Sequence, residues 1–348
     1  MHLFIIIFFM PGSSNIKIAF FDAKPYDLES FDKVKKDFDF KITYFRGHLT
    51  PETAPLTHGF QAVCVFVNDV IDKNMVDILI KNGVSLIALR AAGYNNIDLK
   101  ACFKRITVVR VPDYSPYAVA EFAVALMLSL NRKIHKAYYR IRDNNFTLNG
   151  LSGFDMHGKT VGIIGTGKIG KAAISILKGF GMRVLAYDVF EDKEFQRKAG
   201  FAYVGLDELY RESDIISLHC PLTKDSNHLI NKTAIAKMKR GVMIINTGRG
   251  LLIDSKALIE SLKTGKVGFA GLDVYEEESG YFGEDYSNKV ITDDVFARLL
   301  SFNNVIITSH QGFFTQEALY SIATTTMQST RDFFAKRKLA NEICYQSN

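Results

Sequence analysis

The sequence predicts an α/β protein built from two doubly wound, parallel-sheet domains. Three observations point there. The chain has 348 residues, enough for two domains of ordinary size. Apolar, strand-like runs alternate with helical stretches, the pattern of βαβ units. Near Ser115 the pattern changes, and a second set of such runs follows.

The first set opens with I-K-I-A-F-F-D at 16–22, which reads as a buried strand because it is apolar, β-rich and ended by Asp22. K-I-T-Y-F (41–45), A-V-C-V-F-V-N-D (62–69), S-L-I-A-L-R-A-A-G (85–93) and I-T-V-V-R-V-P (106–112) follow, and most end in turn residues. Ser115 suits an N-cap and Pro116 a first helical position. From Tyr117 to about Arg142 there is no Gly or Pro, so one long helix is expected, apolar in its first half and basic in its second. Such a helix either belongs to an ordinary core or forms a domain or subunit contact.

The second set begins at Lys159. T-V-G-I-I-G is a strand and the segment after it a helix. M-R-V-L-A-Y-D (182–188), D-I-I-S-L-H-C (214–220), G-V-M-I-I-N-T-G (241–248), F-A-G-L-D-V-Y (269–275) and N-V-I-I-T-S-H (304–310) are further strands. Ligands of open α/β sheets bind beyond the carboxyl ends of the strands. The ends that matter are therefore Asp188, His219-Cys220, Gly248-Arg249, Asp273 and His310.

Composition narrows the function classes. Hydrophobic residues make up 47% and charged residues 23%, which does not suit a disordered chain. The net charge of +6 is spread out, and K-V-K-K (33–36) and K-M-K-R (237–240) are too short to read as nucleic-acid patches. Cys64, Cys102, Cys220 and Cys344 have neither C-x-x-C spacing nor a His cluster, so reduced thiols in a cytoplasmic protein are expected, with no metal. The apolar opening M-H-L-F-I-I-I-F-F-M falls short of the ~20 residues of a spanning helix. It also lacks the basic start and the cleavage site of a signal peptide. This opening is expected to be an extra segment ahead of a start near Met10, within an apolar leader of residues 1–15, and no membrane association is expected.

G-T-G-K-I-G at 165–170 fits G-x-G-x-x-G, with a strand before it, a helix after it, and Asp188 ending the next strand. Gly165, Gly167 and Gly170 allow a tight turn and a close approach of backbone N–H groups to a pyrophosphate at a helix N-terminus. The Asp188 carboxylate accepts from ribose hydroxyls and repels a 2′-phosphate, which favours NAD over NADP. Farther along, His310 suits proton exchange with an alcohol or ketone. A carboxylate beside it, with Glu278 the candidate, would fix the imidazole and favour its charged form. Arg249 offers a planar fork to a substrate carboxylate. Each also has an ordinary alternative: a satisfied histidine, a solvated acidic run and a turn arginine.

Taken together, the residues carry a resemblance. From about Ile16 to the C-terminus the chain resembles the D-isomer-specific 2-hydroxyacid dehydrogenases, most closely their fermentative lactate-type members. The resemblance rests on F-V-N-D (66–69), L-R-A-A-G-Y-N-N-I-D (89–98), R-V-P-D-Y-S-P-Y-A-V-A-E (110–121), G-K-T-V-G-I-I-G-T-G-K-I-G (158–170), L-H-C-P-L-T (218–223), I-N-T-G-R-G (245–250), G-L-D-V-Y-E-E-E (271–278) and T-S-H-Q (308–311).

The resemblance implies Arg249 as the substrate-binding arginine, Glu278 as the partner of the histidine and His310 as acid/base. It implies cofactor contacts at Lys168, Ile169, Asp188, Cys220, Pro221, Asn227, Thr247, Gly248 and Asp273, the last holding the nicotinamide carboxamide. Ala92 and Gly93 match a loop whose N–H groups bind the substrate carboxylate. Tyr114 matches an aromatic residue over the substrate, or packs at a hinge, and with Phe313 it would close a small methyl pocket. His219 sits beside the site or serves packing.

The implied activity is NADH-dependent reduction of a small 2-keto acid, pyruvate first, to its D-2-hydroxy acid. Hydroxyisocaproate, hydroxypyruvate, glyoxylate and phosphoglycerate are the rival substrates, and a non-enzymatic NAD-sensing module is the rival class. The implied architecture is a discontinuous, flavodoxin-like substrate domain (16–112 with 311–348) around an inserted Rossmann NAD-binding domain (113–310). A cleft between them closes on ligand, in a homodimer or homotetramer. T-S-H-Q in place of the commoner T-P-H, and Gly248 where Ser is common, leave the chemistry intact.

Overall fold

A computed structural model of the chain describes residues 16–345, so the reading of the leader 1–15 lies outside the described residues. Two compact units are present. One takes the chain up to Tyr114 and again from Thr315, and the other is Ser115–Phe314. These divisions fall two residues after Pro112 and four after His310. Helix caps set them: Ser115 Oγ accepts the Ala118 N–H and Thr315 Oγ1 the Ala318 N–H, each worth about 1 kcal/mol.

The first unit begins with β1 (Ile16–Phe20), α1 (Pro25–Val34), β2 (Phe40–Tyr44), β3 (Ala62–Val65), α2 (Lys73–Lys81), β4 (Leu86–Leu89), α3 (Leu99–Cys102) and β5 (Thr107–Arg110). Their parallel sheet has the order β2-β1-β3-β4-β5. Strands β3 and β4 are buried on both faces, which is why they read as unbroken apolar runs. One face packs Val63, Ile87, Leu79 and Val76, the other Phe20, Phe31, Ala88 and Met327.

The second unit opens with α4 (Pro116–Arg132) and α5 (Ile134–Arg142). The sequence pattern suggests a single helix here, and the structure corrects it. Lys133 adopts a left-handed conformation (φ 51°) and breaks the run. The cause is local anchoring. Lys133 Nζ donates to Ser152 O, and the Asn131 side chain exchanges hydrogen bonds with the Phe154 backbone at 2.7 and 2.8 Å. The returning segment docks so closely that a Cβ on Gly153 would lie 2.6 Å from Asn131 O.

Then follow β6 (Thr160–Ile164), α6 (Lys168–Gly179), β7 (Arg183–Tyr187), α7 (Lys193–Ala199), β8 (Ala202–Tyr203), α8 (Leu206–Glu212), β9 (Ile215–Leu218), α9 (Lys232–Lys237), β10 (Val242–Asn246), α10 (Ser255–Lys263), β11 (Val267–Leu272), α11 (Asp294–Leu300) and β12 (Val305–Ile307). The sheet is parallel, in the order β12-β11-β10-β9-β6-β7-β8. Sequence order reverses between β6 and β9, the switch point at which α/β sheets hold their ligands. Helix α12 (Gln316–Phe334) returns to the first unit and contributes Ala323 and Met327 to its core.

Candidate active site

The carboxyl edge of the seven-stranded sheet carries the candidate site residues in two halves. Around the switch point, β6 runs into Gly165, whose φ of +96° suits glycine. A Cβ there would fall 2.4 Å from Cys220 N, so the turn lies directly on the end of β9. A Cβ on Gly170 would fall 2.0 Å from Gly165 O. Gly167, the N-cap of α6, differs: it has ordinary dihedrals, and a Cβ on it would meet nothing within 4 Å. The first turn of α6 begins without a side-chain cap hydrogen bond at Gly167. Lys168 and Ile169 stand in that first turn, the former exposed and the latter half-buried.

Asp188 ends β7. Its Oδ2 accepts Thr166 N at 2.5 Å and Thr166 Oγ1 at 3.0 Å, and its Oδ1 accepts Phe190 N at 2.9 Å. Burial opposes the charge, but these N–H donors outweigh it and hold the carboxyl below its usual range. Tyr203 OH lies 2.8 Å from Thr166 Oγ1 and accepts Asp192 N, tying β8 to the turn.

Beyond β9, Cys220 is half-buried, and burial pushes its thiol up to about 11. His219 Nε2 lies 2.9 Å from Ser217 Oγ, and burial lowers its pKa to about 4, so the imidazole is neutral. Pro221 and Asn227 lie exposed in the turn after Cys220, where Ser226 Oγ donates to Pro221 O and Asn227 N to Thr223 O. Thr247 is buried, and its Oγ1 has no hydrogen-bond partner among the described residues. The uncapped start of α6, the side-chain-free Gly167 and this buried hydroxyl together fit a dinucleotide.

The second half lies at the ends of β10, β11 and β12. After β10, the buried Asn246 shapes the turn: its Oδ1 accepts Gly248 N at 3.0 Å and its Nδ2 donates to Arg249 O at 2.8 Å. Arg249 is half-buried, and its Nη1 donates to Gly248 O at 2.8 Å. Gly250 brings this turn against the segment that leads to Glu278, since a Cβ there would fall 2.1 Å from the Tyr275 carbonyl carbon.

After β12, His310 has φ +53°. Its Nδ1 lies 2.8 Å from Glu278 Oε1, and Glu278 Oε2 accepts Tyr275 N at 2.9 Å. Neither Glu276 nor Glu277 makes this contact; Glu276 Oε1 accepts Ser255 N instead.

Asp273, at the end of β11, is buried. Its Oδ1 accepts Thr308 Oγ1 and Gln311 N, and its Oδ2 accepts Gly312 N at 2.7 Å. Its own carbonyl accepts His310 N at 2.8 Å. Burial raises its pKa even though those donors and the charge of His310 work the other way. Asp273 therefore clamps the backbone that presents His310. Phe313, next in that loop, is half-buried. In the first unit, Ala92 and Gly93 are half-buried in the turn after β4, and Tyr114 is half-buried after β5.

Sequence reasoning passed over Asn246, Thr166, Tyr203, Thr308 and the Tyr275 N–H. Each acts by holding another residue. Thr166 lies inside the glycine motif, and Asn246 directly precedes the T-G-R turn; those positions were the available signals.

A doubly wound nucleotide sheet whose carboxyl edge also presents an imidazole–carboxylate pair defines an NAD-dependent dehydrogenase. The family model described as "D-isomer specific 2-hydroxyacid dehydrogenase, NAD binding domain" matches residues 124–312, and the chain belongs to the D-isomer specific 2-hydroxyacid dehydrogenases. It is an NAD-dependent oxidoreductase acting on the CH–OH group of a small 2-hydroxy acid.

The chain is 51% identical to the D-lactate dehydrogenase of Escherichia coli over 94% of its length and 100% of the relative's. It is 51% identical to 2-hydroxyacid dehydrogenase homolog 1 of Schizosaccharomyces pombe, over 91% and 96%. The pyruvate reductase of Chlamydomonas reinhardtii superimposes with a TM-score of 0.89 at 43% identity, covering 94% of this chain and 98% of that one. Among the described residues no helix is long and apolar enough to cross a membrane.

Proposed function

We propose that the protein is a cytoplasmic D-lactate dehydrogenase that reduces pyruvate to D-lactate with NADH and runs the reverse reaction. The observation that carries the proposal is the His310–Glu278 contact at 2.8 Å, made at a strand end next to the one that leads to Asp273. The likeness to lactate-type relatives along nearly the whole chain supports pyruvate over bulkier acids.

The Gly165–Gly170 turn and the start of α6 would hold the pyrophosphate of the dinucleotide, Asp188 its adenosine ribose, and Thr247 and Asp273 its nicotinamide end; Lys168, Ile169, Cys220, Pro221, Asn227 and Gly248 would contribute further contacts. When bound, NADH supplies the hydride that C2 of the keto acid receives. Arg249 pairs with the substrate carboxylate and polarises the keto oxygen. Glu278 holds Nδ1 of His310, so Nε2 is the atom that gives its proton to the developing alkoxide and takes it back in the oxidation. Ala92 and Gly93 offer N–H groups to the carboxylate, and Tyr114 and Phe313 offer apolar surface to the methyl group.

Exposed Ile134, Tyr138, Tyr139 and Ile141 on α5, with Phe146 and Leu148 beyond it, suit a subunit contact in a homodimer or homotetramer.

The test is NADH oxidation with a panel of 2-keto acids and chiral analysis of the product. Pyruvate preferred, with D-lactate formed, is the expected result; L-lactate, or a tenfold preference for another acid, would overturn the proposal. His310→Asn is expected to lose kcat and keep NADH affinity.

A further inference from the structure

The turn after β4 contains a clamped peptide. Ala92 O accepts a hydrogen bond from Arg110 Nη1 at 2.5 Å. Arg110 is itself fixed on three sides. It ends β5 in register with Leu89, its backbone N–H donates to Asn341 O at 3.0 Å, and its guanidinium lies 5.1 Å from the centre of the Tyr94 ring.

A trans peptide is planar, with C=O and N–H pointing opposite ways, and no peptide among the described residues is cis. Holding Ala92 O toward Arg110 therefore turns the Gly93 N–H away from Arg110. Among the described residues neither the Ala92 N–H nor the Gly93 N–H is taken by a hydrogen bond. A cationic donor on the carbonyl also polarises the amide and makes its N–H a better donor to an anion.

We propose that Arg110 is the positioning residue of the amide that receives the substrate carboxylate. It does so by fixing and polarising the Ala92–Gly93 peptide without itself belonging to the reacting groups. The inference rests on the reading that Ala92 and Gly93 bind that carboxylate.

The test compares Arg110→Gln and Arg110→Lys with wild type and with Arg249→Lys, in pyruvate kinetics, oxamate inhibition, NADH binding and thermal melting. In Arg110→Gln, KM for pyruvate and Ki for oxamate should rise together by about tenfold or more, as expected on losing a charge-assisted hydrogen bond. NADH affinity should stay within about twofold and kcat within about threefold. Arg110→Lys, which keeps one cationic donor, should recover part of the loss.

A lowered melting temperature with KM and Ki unchanged would make Arg110 a structural residue only and overturn the inference. If Arg249→Lys weakens oxamate binding and neither Arg110 variant does, the inference falls and the functional reading stands. If wild type neither reduces pyruvate nor binds oxamate, both fall.

Discussion

His310 Nδ1 and Glu278 Oε1 lie 2.8 Å apart, and the other Glu278 oxygen is held by the Tyr275 N–H at 2.9 Å. The carboxylate is thus gripped from behind while it grips the imidazole. Its two oxygens have separate tasks, so an amide cannot replace it: one end of the amide would present NH2 to a partner that needs an acceptor. Glu278→Gln should lower kcat for pyruvate reduction by about 10²-fold, the scale of positioned acid–base catalysis. NADH affinity, measured by fluorescence titration, should be unchanged. A kcat within threefold of wild type would remove Glu278 from the mechanism.

The glycines of the nucleotide turn divide by what they serve. Gly165 has φ +96° and no room for a Cβ, with Cys220 N at 2.4 Å, so Gly165→Ala should damage the fold itself. Gly167 has neither constraint: among the described residues, its chain neighbours aside, nothing lies within 4 Å of a Cβ placed there. On the proposed function its smallness leaves room for the dinucleotide to approach the backbone. Gly167→Ala should melt like wild type and bind NADH at least about tenfold more weakly. Equal losses of stability in the two variants would contradict this division.

Most of the candidate site is legible in the sequence, for a physical reason. Strands buried on both faces must be apolar, so polar residues at their ends stand out, as Asp188, Arg249, Asp273 and His310 do. What stayed hidden has no such contrast. The break at Lys133 follows from Asn131 and Lys133 bonding to residues about twenty positions on, and neither Gly nor Pro marks it. β8 is two residues long, too short to show a period. Among Glu276, Glu277 and Glu278, periodicity makes no choice; the resemblance singles out Glu278, and the hydrogen bond from Tyr275 N shows what holds it there. Arg110 looks like any strand-end arginine until its partner, a main-chain carbonyl eighteen residues earlier, is known.

Asp188 supports the turn, apart from the ribose contact proposed for it. Its oxygens satisfy the N–H groups of Thr166 and Phe190, so removing its charge has a structural consequence. The folded protein holds this carboxyl below its usual range. The associated stability is therefore fully present above the unfolded value, about 3.9, and is lost as pH falls through the folded one. Asp188→Asn should be less stable than wild type at pH 7 in urea denaturation, and the gap should close as pH is taken below about 4. The same variant should discriminate less against NADPH. A stability gap that does not vary with pH would show that the charge of Asp188 is not what the turn requires.

His219 makes the opposite demand on pH. Its ring is desolvated beside Ser217, and its pKa falls to about 4, whereas an unfolded histidine titrates near 6.5. Between those values the unfolded chain binds a proton that the folded chain refuses, so stability drops as pH falls from about 6.5 to about 4 and then levels off. That lowering corresponds to a few kcal/mol at most. The residue keeps some exposed surface, and solvent screening reduces that figure. His219→Asn, which can still pair with Ser217 and does not titrate, should lose little stability at pH 7.5 and be more stable than wild type at pH 4.5. Urea midpoints at the two pH values decide the matter. A wild-type midpoint that falls no further than the variant's between them would mean that the imidazole accepts its proton in the folded state and is not held neutral beneath the nucleotide turn.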